Sequence, residues 1–285
     1  MKKTRFKRIY VEIGNICNKN CAFCPKTTRA LAQMTSEQFD VVLEKIKGYT
    51  NHIYLHVLGE PLIHKELPKL LDSTLKYNLN THITTNGTNL AENRDLLRHK
   101  SIRKIAISVH SFEANTMTTD LKNYLDAIID FAKSLGKEKI IELRLWNITD
   151  KNYSKLNDTI IKYICDSFGF TDTIDTANTL GYKLQDYVFL EFASHFEWPN
   201  ESGECYGDKG FCLGLKDQVA ILVNGDVVPC CLDNNGVIKL GNIFESDFES
   251  IITSDRALKI LEGFQKRKRV ENLCKHCQYS TRFDV

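Results

Sequence analysis

Cys17-Asn18-Lys19-Asn20-Cys21-Ala22-Phe23-Cys24 places three thiols in one short loop, directly after a strand-like stretch at residues 8–13. Thiolates converging from a single turn can hold three corners of an iron-sulfur cubane. A closed structural site has four protein ligands, so the missing fourth leaves one iron open to a small molecule. The alternatives are a zinc site or three unrelated buried thiols, and zinc favours paired Cys-x-x-Cys units over this uneven spacing.

Outward from that loop, β-rich and helical stretches alternate through about the first 195 residues. Short runs rich in Ile, Val, Leu and aromatics predict strands at 8–13, 52–57, 80–85, 104–109, 139–145 and 187–192. Thr35-Ser36-Glu37-Gln38 is a capping box, followed by Phe39, Val42, Leu43 and Ile46 at helical spacing. Further helices fit 65–77, 89–99, 119–135 and 153–168. The order βαβαβαβαβαβ favours a parallel α/β sheet curved into a partial (β/α)6 TIM-type barrel, with functional residues at the C-terminal strand ends. After Pro199 the chain turns glycine- and cysteine-rich, which divides it into residues 1–199 and a smaller unit at 200–285. That unit has a hairpin over 218–229, turned by Asn224-Gly225, a helix over 246–263, and the pair Cys274 and Cys277.

At 285 residues, with 42% hydrophobic and 26% charged content, the chain can bury a sizeable core and is not a disordered protein. Its 38 basic and 36 acidic residues leave a net charge of +2, too little to imply a nucleic-acid partner. Two basic runs, Lys2-Lys3-Thr4-Arg5-Phe6-Lys7-Arg8 and Lys266-Arg267-Lys268-Arg269, read as solvated surface. The apolar stretch at 9–13 is too short and too charged for a signal peptide, and no segment reaches membrane-spanning length, so the expected location is the cytoplasm. A reducing compartment keeps thiols free, which makes the ten cysteines candidates for metal or cluster ligation.

The C-x3-C-x2-C loop, with aromatic Phe23 before its last cysteine, resembles the signature of the radical S-adenosylmethionine (SAM) enzyme superfamily. Leu58-Gly59-Glu60-Pro61 is similar to the family's Gly-Gly-Glu-Pro segment, with Leu58 in place of the first glycine. Thr84-Thr85-Asn86-Gly87 resembles another recurrent segment, and Ser108 corresponds to a residue that contacts the ribose. The family often has Ser-Ile-Asp where this chain has Ser108-Val109-His110. The resemblance implies a 4Fe-4S cluster on Cys17, Cys21 and Cys24. It implies SAM-binding roles for Phe23, Gly59, Glu60, Pro61, Asn86, Ser108, Arg144 and Asn147, and makes Arg144 and His110 the candidate catalytic residues. Arg144 and Asn147, at the end of the fifth strand, would contact the methionine carboxylate or the substrate; Arg144 suits a carboxylate because a guanidinium forks onto it, and a salt-bridged structural arginine is the alternative.

Cys212-x12-Gly225-x4-Cys230, followed by Cys274-x2-Cys277, resembles the SPASM and twitch accessory domains of such enzymes. Phe283 stands where the next cysteine is expected, so the resemblance implies one auxiliary 4Fe-4S cluster on Cys212, Cys230, Cys274 and Cys277. Zinc on the same four thiols is the alternative. Cys205 is an alternate ligand, Cys231 a spare thiol, and Cys165 a small buried side chain in a helix. His56, His82, His110, Glu191 and His195 fall on or after strands and can face substrate or serve as scaffold; Trp146 and Trp198 read as core or lid residues.

The function expected is therefore that of an enzyme. It cleaves SAM to a 5′-deoxyadenosyl radical, abstracts a substrate hydrogen and modifies a small molecule or peptide, with an auxiliary cluster assisting. A small molecule is favoured over a peptide, because no segment is long enough for a leader-binding domain. The expected partner is a reductant such as flavodoxin or ferredoxin. The competing readings are RNA modification by the same chemistry and a non-catalytic electron carrier.

Overall fold

The computed structural model describes residues 5–115, 119–178 and 180–284, so Lys2, Lys3 and Thr4 of the first basic run lie outside the described residues. The chain forms β1 (Arg8–Val11), α1 (Ser36–Ile46), β2 (His52–Tyr54), α2 (Leu67–Lys76), β3 (Asn80–Thr85), β4 (Ile102–Ser108), α3 (Leu121–Leu135), β5 (Ile140–Leu145), α4 (Asn157–Phe168), β6 (Tyr182–Gln185) and β7 (Val188–Phe192). It continues with β8 (Gln218–Ile221), β9 (Asp226–Val228), β10 (Gly241–Asn242), α5 (Phe248–Ile252), α6 (Asp255–Gln265) and α7 (Asn272–Lys275).

One sheet of ten strands runs in the order β10-β9-β8-β1-β2-β3-β4-β5-β7-β6. Its seven central strands, from β8 to β7, are parallel, and the antiparallel β6, β9 and β10 finish the two edges. The sheet stays open, which gives the α/β partial barrel expected from the sequence. The C-terminal hairpin extends this sheet directly, because β8 pairs with β1 from Arg8 opposite Gln218 to Val11 opposite Ile221.

Successive strand residues point to opposite faces, and here the two faces differ chemically. Ile9, Val11, Ile105, Ile107, Ile141 and Leu143 pack against Phe39 and Leu43 of α1, Leu70 of α2 and Phe131 of α3. The alternate positions carry Arg8, Tyr10, Tyr54, His82, Lys104, Glu142, Arg144 and Glu191. A (β/α) barrel usually fills its interior with branched apolar side chains, so this polar inner face is not explained by stability.

Three local expectations differ from the structure. Residues 89–99 form turns and a 3-10 segment at Leu96–Arg98 instead of an α-helix. There Asn86 Oδ1 accepts from Thr88 N at 3.0 Å, and the Asn93 amide donates to Asn89 O at 2.9 Å, which competes with helical bonding. The helix expected over 246–263 is two, because Ser254 caps a new start by accepting from Ala257 N. The second basic run is only partly solvated: Lys266, Arg267 and Lys268 are exposed, but Arg269 is fully buried, donates to the Lys209 carbonyl at 2.6 Å and pairs with Asp284. No described helix is long and apolar enough to cross a membrane. Replacing the cap, Ser254→Ala, is expected to lower stability by about 1 kcal/mol, measured by denaturant unfolding.

Candidate active site

The loop between β1 and α1 carries the first three cysteines, and side-chain amides fix its shape. Asn15 closes its base, donating to Ala30 O at 2.9 Å and accepting from Ala32 N at 2.8 Å. Asn115 holds its tip, accepting from Asn20 N and donating to Cys21 Sγ, both at 3.0 Å. Asn86, just past β3, donates to Asn18 Oδ1 at 2.9 Å. Cys17, Cys21, Cys24 and Phe23 then line a cavity of about 370 Å³ together with Gly59, Glu60, Asn86 and Ser108. Four separate stretches of sequence thus converge on one space at the C-terminal ends of the strands. Burial raises the Cys17 and Cys21 thiols above their usual range, an effect that coordination to a metal reverses by holding the thiolate. The donor set and its shared cavity therefore fit a three-thiolate cluster.

The floor of this cavity depends on a glycine and a buried carboxylate. Gly59 has φ +81°, and a Cβ there would sit 2.3 Å from the Gly14 carbonyl oxygen. Glu60 accepts from Leu62 N at 3.1 Å and from Asn86 N at 2.8 Å, so it staples the end of β2 to the end of β3. Burial raises its pKa, against the pull of those backbone bonds. Pro61 is buried in the 3-10 turn Pro61–Ile63 that follows and does not line the cavity.

The sequence reading passed over Glu12, a carboxylate inside an otherwise apolar stretch. It is fully buried. One oxygen pairs with Arg29 of the cysteine loop at 2.7 Å and accepts from Leu58 N at 3.3 Å; the other accepts from Val223 N, past β8, at 2.9 Å. A charge in a strand destined for the interior was the available signal.

The polar inner face continues below the cavity. Lys104 pairs with Glu142 at 2.6 Å, Glu142 with Arg144 at 2.6 Å, and Arg144 approaches Glu191 at 3.8 Å. Burial, then the nearby Glu142, pushes the Glu191 carboxyl up to about 7. The Arg144 guanidinium lies 4.3 Å over Trp146. Arg144 Nε, His56 Nδ1 and His82 Nδ1 are buried without a hydrogen-bond partner. His56 also lines the cysteine cavity, whereas Arg144 and Asn147 do not. Asn147 is 2% exposed and spends its amide on Tyr153 O and on Asn157 Oδ1. His110 donates from Nδ1 to the Arg144 carbonyl at 3.0 Å and packs 5.1 Å from the Phe23 ring. Burial lowers its pKa to about 4, so the ring is neutral near pH 7. Beside the first cavity a wider one, of about 940 Å³, shares Phe23, Cys24 and Trp198 with it and includes Asp150, His195 and Asn234. Trp198 thus stands between the two spaces.

The C-terminal thiols form a second neighbourhood. Burial raises Cys212, Cys230, Cys274 and Cys277, and Cys230 is raised further by the charges of Cys231, Cys212, Cys277 and Cys274. Thiols that hinder one another's ionisation in this way need a cation to become thiolates together, which fits a four-thiolate cluster. The buried Arg269 guanidinium acts the other way on Cys212 and Cys277. Cys205 is exposed. Among the described residues, no three Cys, His, Asp or Glu side chains are grouped as ligands of a single metal ion.

Comparison with known proteins agrees with this arrangement. The radical SAM superfamily profile matches residues 11–160, and an iron-sulfur cluster-binding SPASM domain matches residues 212–278. This chain belongs to the radical SAM superfamily, whose members with a SPASM domain carry a SAM-binding 4Fe-4S cluster, auxiliary clustering of iron and sulfide, and SAM itself. It is 22% identical over 281 residues to the S-adenosyl-L-methionine-dependent 2-deoxy-scyllo-inosamine dehydrogenase of Niallia circulans, covering 95% of this chain and 92% of that one. The solved structure of BtrN in complex with AdoMet and 2-DOIA superposes with a TM-score of 0.62 at 20% identity, covering 96% of this chain and 93% of that one. Native anSMEcpe with bound AdoMet and Cp18Cys peptide superposes with a TM-score of 0.63 at 14% identity, covering 95% and 86%. These structural likenesses show the fold.

Removing the central carboxylate, Glu12→Ala, strands Arg29 and two backbone donors. The expected cost is about 3–5 kcal/mol in denaturant unfolding, with a smaller loss for Glu12→Gln, which keeps an accepting oxygen.

Proposed function

We propose that this protein is a radical dehydrogenase that oxidises a hydroxyl-bearing small molecule held against the polar inner face of the sheet. The observation that carries the reading is the set of buried nitrogens without a hydrogen-bond partner on the polar inner face, Arg144 Nε, His56 Nδ1 and His82 Nδ1, of which His56 also lines the cavity of Cys17, Cys21 and Cys24. Leaving such a group unsatisfied costs about 1–3 kcal/mol, a cost that a polar ligand removes. The full-length likeness to a dehydrogenase named for an amino-cyclitol substrate supports the same class.

In this reading Cys17, Cys21 and Cys24 hold the SAM-binding cluster, Cys212, Cys230, Cys274 and Cys277 hold the auxiliary one, and Gly59, Glu60, Asn86 and Ser108 shape the SAM pocket. When bound, these groups supply a 5′-deoxyadenosyl radical that removes a carbon-bound hydrogen atom, and a one-electron acceptor. The chain's own residues do the rest. Arg144 and His56 fix the substrate's oxygens, and Glu191 takes the hydroxyl proton as the carbonyl forms. His110 buttresses Phe23, and with its pKa lowered to about 4 by burial and its Nδ1–H given to the Arg144 carbonyl it is a weaker base than Glu191. Trp198 covers the space in which water would quench the radical.

Anaerobic reconstitution tests the cluster assignment: Cys212→Ala should lose about four irons relative to wild type while still forming 5′-deoxyadenosine from SAM and dithionite. Substrate carrying deuterium on its carbinol carbon should pass it to 5′-deoxyadenosine, with 2-deoxy-scyllo-inosamine as the first probe. Transfer from a peptide, and from no polyol or amino-cyclitol, would overturn the small-molecule reading. For Glu191 the sign is set by a base active only when ionised. Turnover should rise with pH through about 7 in wild type. Glu191→Gln should flatten the profile and lower the rate by roughly 10²-fold or more, without slowing SAM cleavage alone.

A further inference from the structure

Asn86, past β3, and Asn115, ahead of α3, fix the part of the cysteine loop that runs from Asn18 to Cys21. The arm that follows Cys24 is held from the C-terminal unit. The Asn234 amide donates to the Lys26 carbonyl at 2.9 Å, and the Asn234 carbonyl accepts from Arg29 Nε at 2.8 Å. Asn235 Oδ1 accepts from Thr28 N at 3.1 Å and from Thr27 Oγ1 at 3.2 Å. Among the described residues, the hydrogen bonds that residues 25–29 make beyond the loop go to this turn and to Glu12. Lys26 takes φ +60°, a left-handed conformation that a side chain disfavours, and its carbonyl is the one that Asn234 engages. From there its ammonium reaches back to the Cys21 carbonyl at 2.9 Å, which closes the segment holding Cys21 and Cys24. The turn keeps its shape without the Asn234 side chain, because the buried Asp233 accepts from Val237 N at 2.8 Å and from Ile238 N at 2.7 Å. Asn234 is itself only 4% exposed.

We propose that Asn234 is a positioning residue for the SAM-binding cluster: from the C-terminal unit it holds Lys26 in its left-handed turn, and so sets where Cys24 stands relative to Cys21. The proposal rests on the reading that Cys17, Cys21 and Cys24 ligate that cluster. Three thiolates leave one iron open, so a cluster on this loop lacks the fourth protein bond that secures a closed site. The spacing of the three sulfurs then has to be kept by hydrogen bonds around the loop, and losing such an outer partner weakens metal binding by about 10–100-fold. The C-terminal unit thus completes the first site as well as carrying thiols of its own. A bond that only tied the two parts of the chain together would act on both thiol neighbourhoods alike, and this one touches the arm of the first.

The test uses the full chain, reconstituted anaerobically, and follows iron release to a ferrous chelator. Asn234→Ala should release about four irons roughly tenfold faster than wild type, while the remainder leaves at the wild-type rate. Asn234→Asp, which keeps the size of the side chain and removes the donating amide, should release that iron at least as fast. In a second background, with Cys17→Ala, Cys21→Ala and Cys24→Ala together, only the auxiliary iron remains, and adding Asn234→Ala there should leave its release unchanged. SAM titrated against the electron paramagnetic resonance signal of the dithionite-reduced first cluster should need a higher concentration in Asn234→Ala to shift the spectrum. Unchanged iron release in both Asn234 variants overturns the positioning role. So does faster release in the background without the first three cysteines, which marks a bond that only ties the chain together. A triple-cysteine variant that keeps all its iron overturns the cluster assignment, and the positioning role with it.

Discussion

The buried carboxylate of Glu12 is the constraint on which the rest of the site depends. A charge with no exposure must be compensated on every side, and here the partners come from three separate parts of the chain: Arg29, Leu58 and Val223. Those partners belong to the loop that carries the first cysteines, the segment leading into Gly59 and Glu60, and the hairpin that begins the C-terminal unit. The relative positions of the two thiol neighbourhoods are therefore set partly by one side chain. Arg269 plays a related part at the second neighbourhood, where a cation buried among backbone carbonyls acts electrostatically on Cys212 and Cys277 and favours their ionisation.

The sheet divides its labour by parity. Side chains facing the helices are branched and apolar and form the continuous core, so they carry the stability of the fold. Side chains on the other face are charged, aromatic or imidazole, and several are unsatisfied. A polar network in a low-dielectric interior is costly unless completed, and completion by a bound molecule turns that cost into selectivity. The same alternation places Lys104, Glu142, Arg144 and Glu191 as a connected run, with the carboxyl nearest neutrality at its end.

Much of this was legible in the sequence, for physical reasons that differ from element to element. The first cysteine loop was readable because ligation imposes a fixed spacing within one turn, and α1 because its capping box and apolar spacing agree with each other. The hairpin followed from Asn224-Gly225, where Gly225 takes φ +89°. Short-range signals failed where side chains compete with backbone. Asn86, Thr88 and Asn93 divert residues 89–99 from helix, and Ser254 divides the last long helical stretch in two. Long-range pairing was invisible by nature. Nothing local to Glu12 names Val223, nothing local to Arg269 announces that it is buried among carbonyls, and the edge strand β6 has no periodicity of its own strong enough to be seen.

The pairing of β8 with β1 has a consequence for how the chain is made. The N-terminal strand leaves the ribosome early, yet its partner along one side lies some 210 residues later, Arg8 opposite Gln218. Until that partner is synthesised, one flank of β1 presents bare amide and carbonyl groups, the template on which unwanted strand addition begins. Closing so long a loop is slow, and a domain with this topology matures only when the segment from Gln218 onward is available. Truncation before residue 218 leaves that edge of β1 with no native strand to cover it.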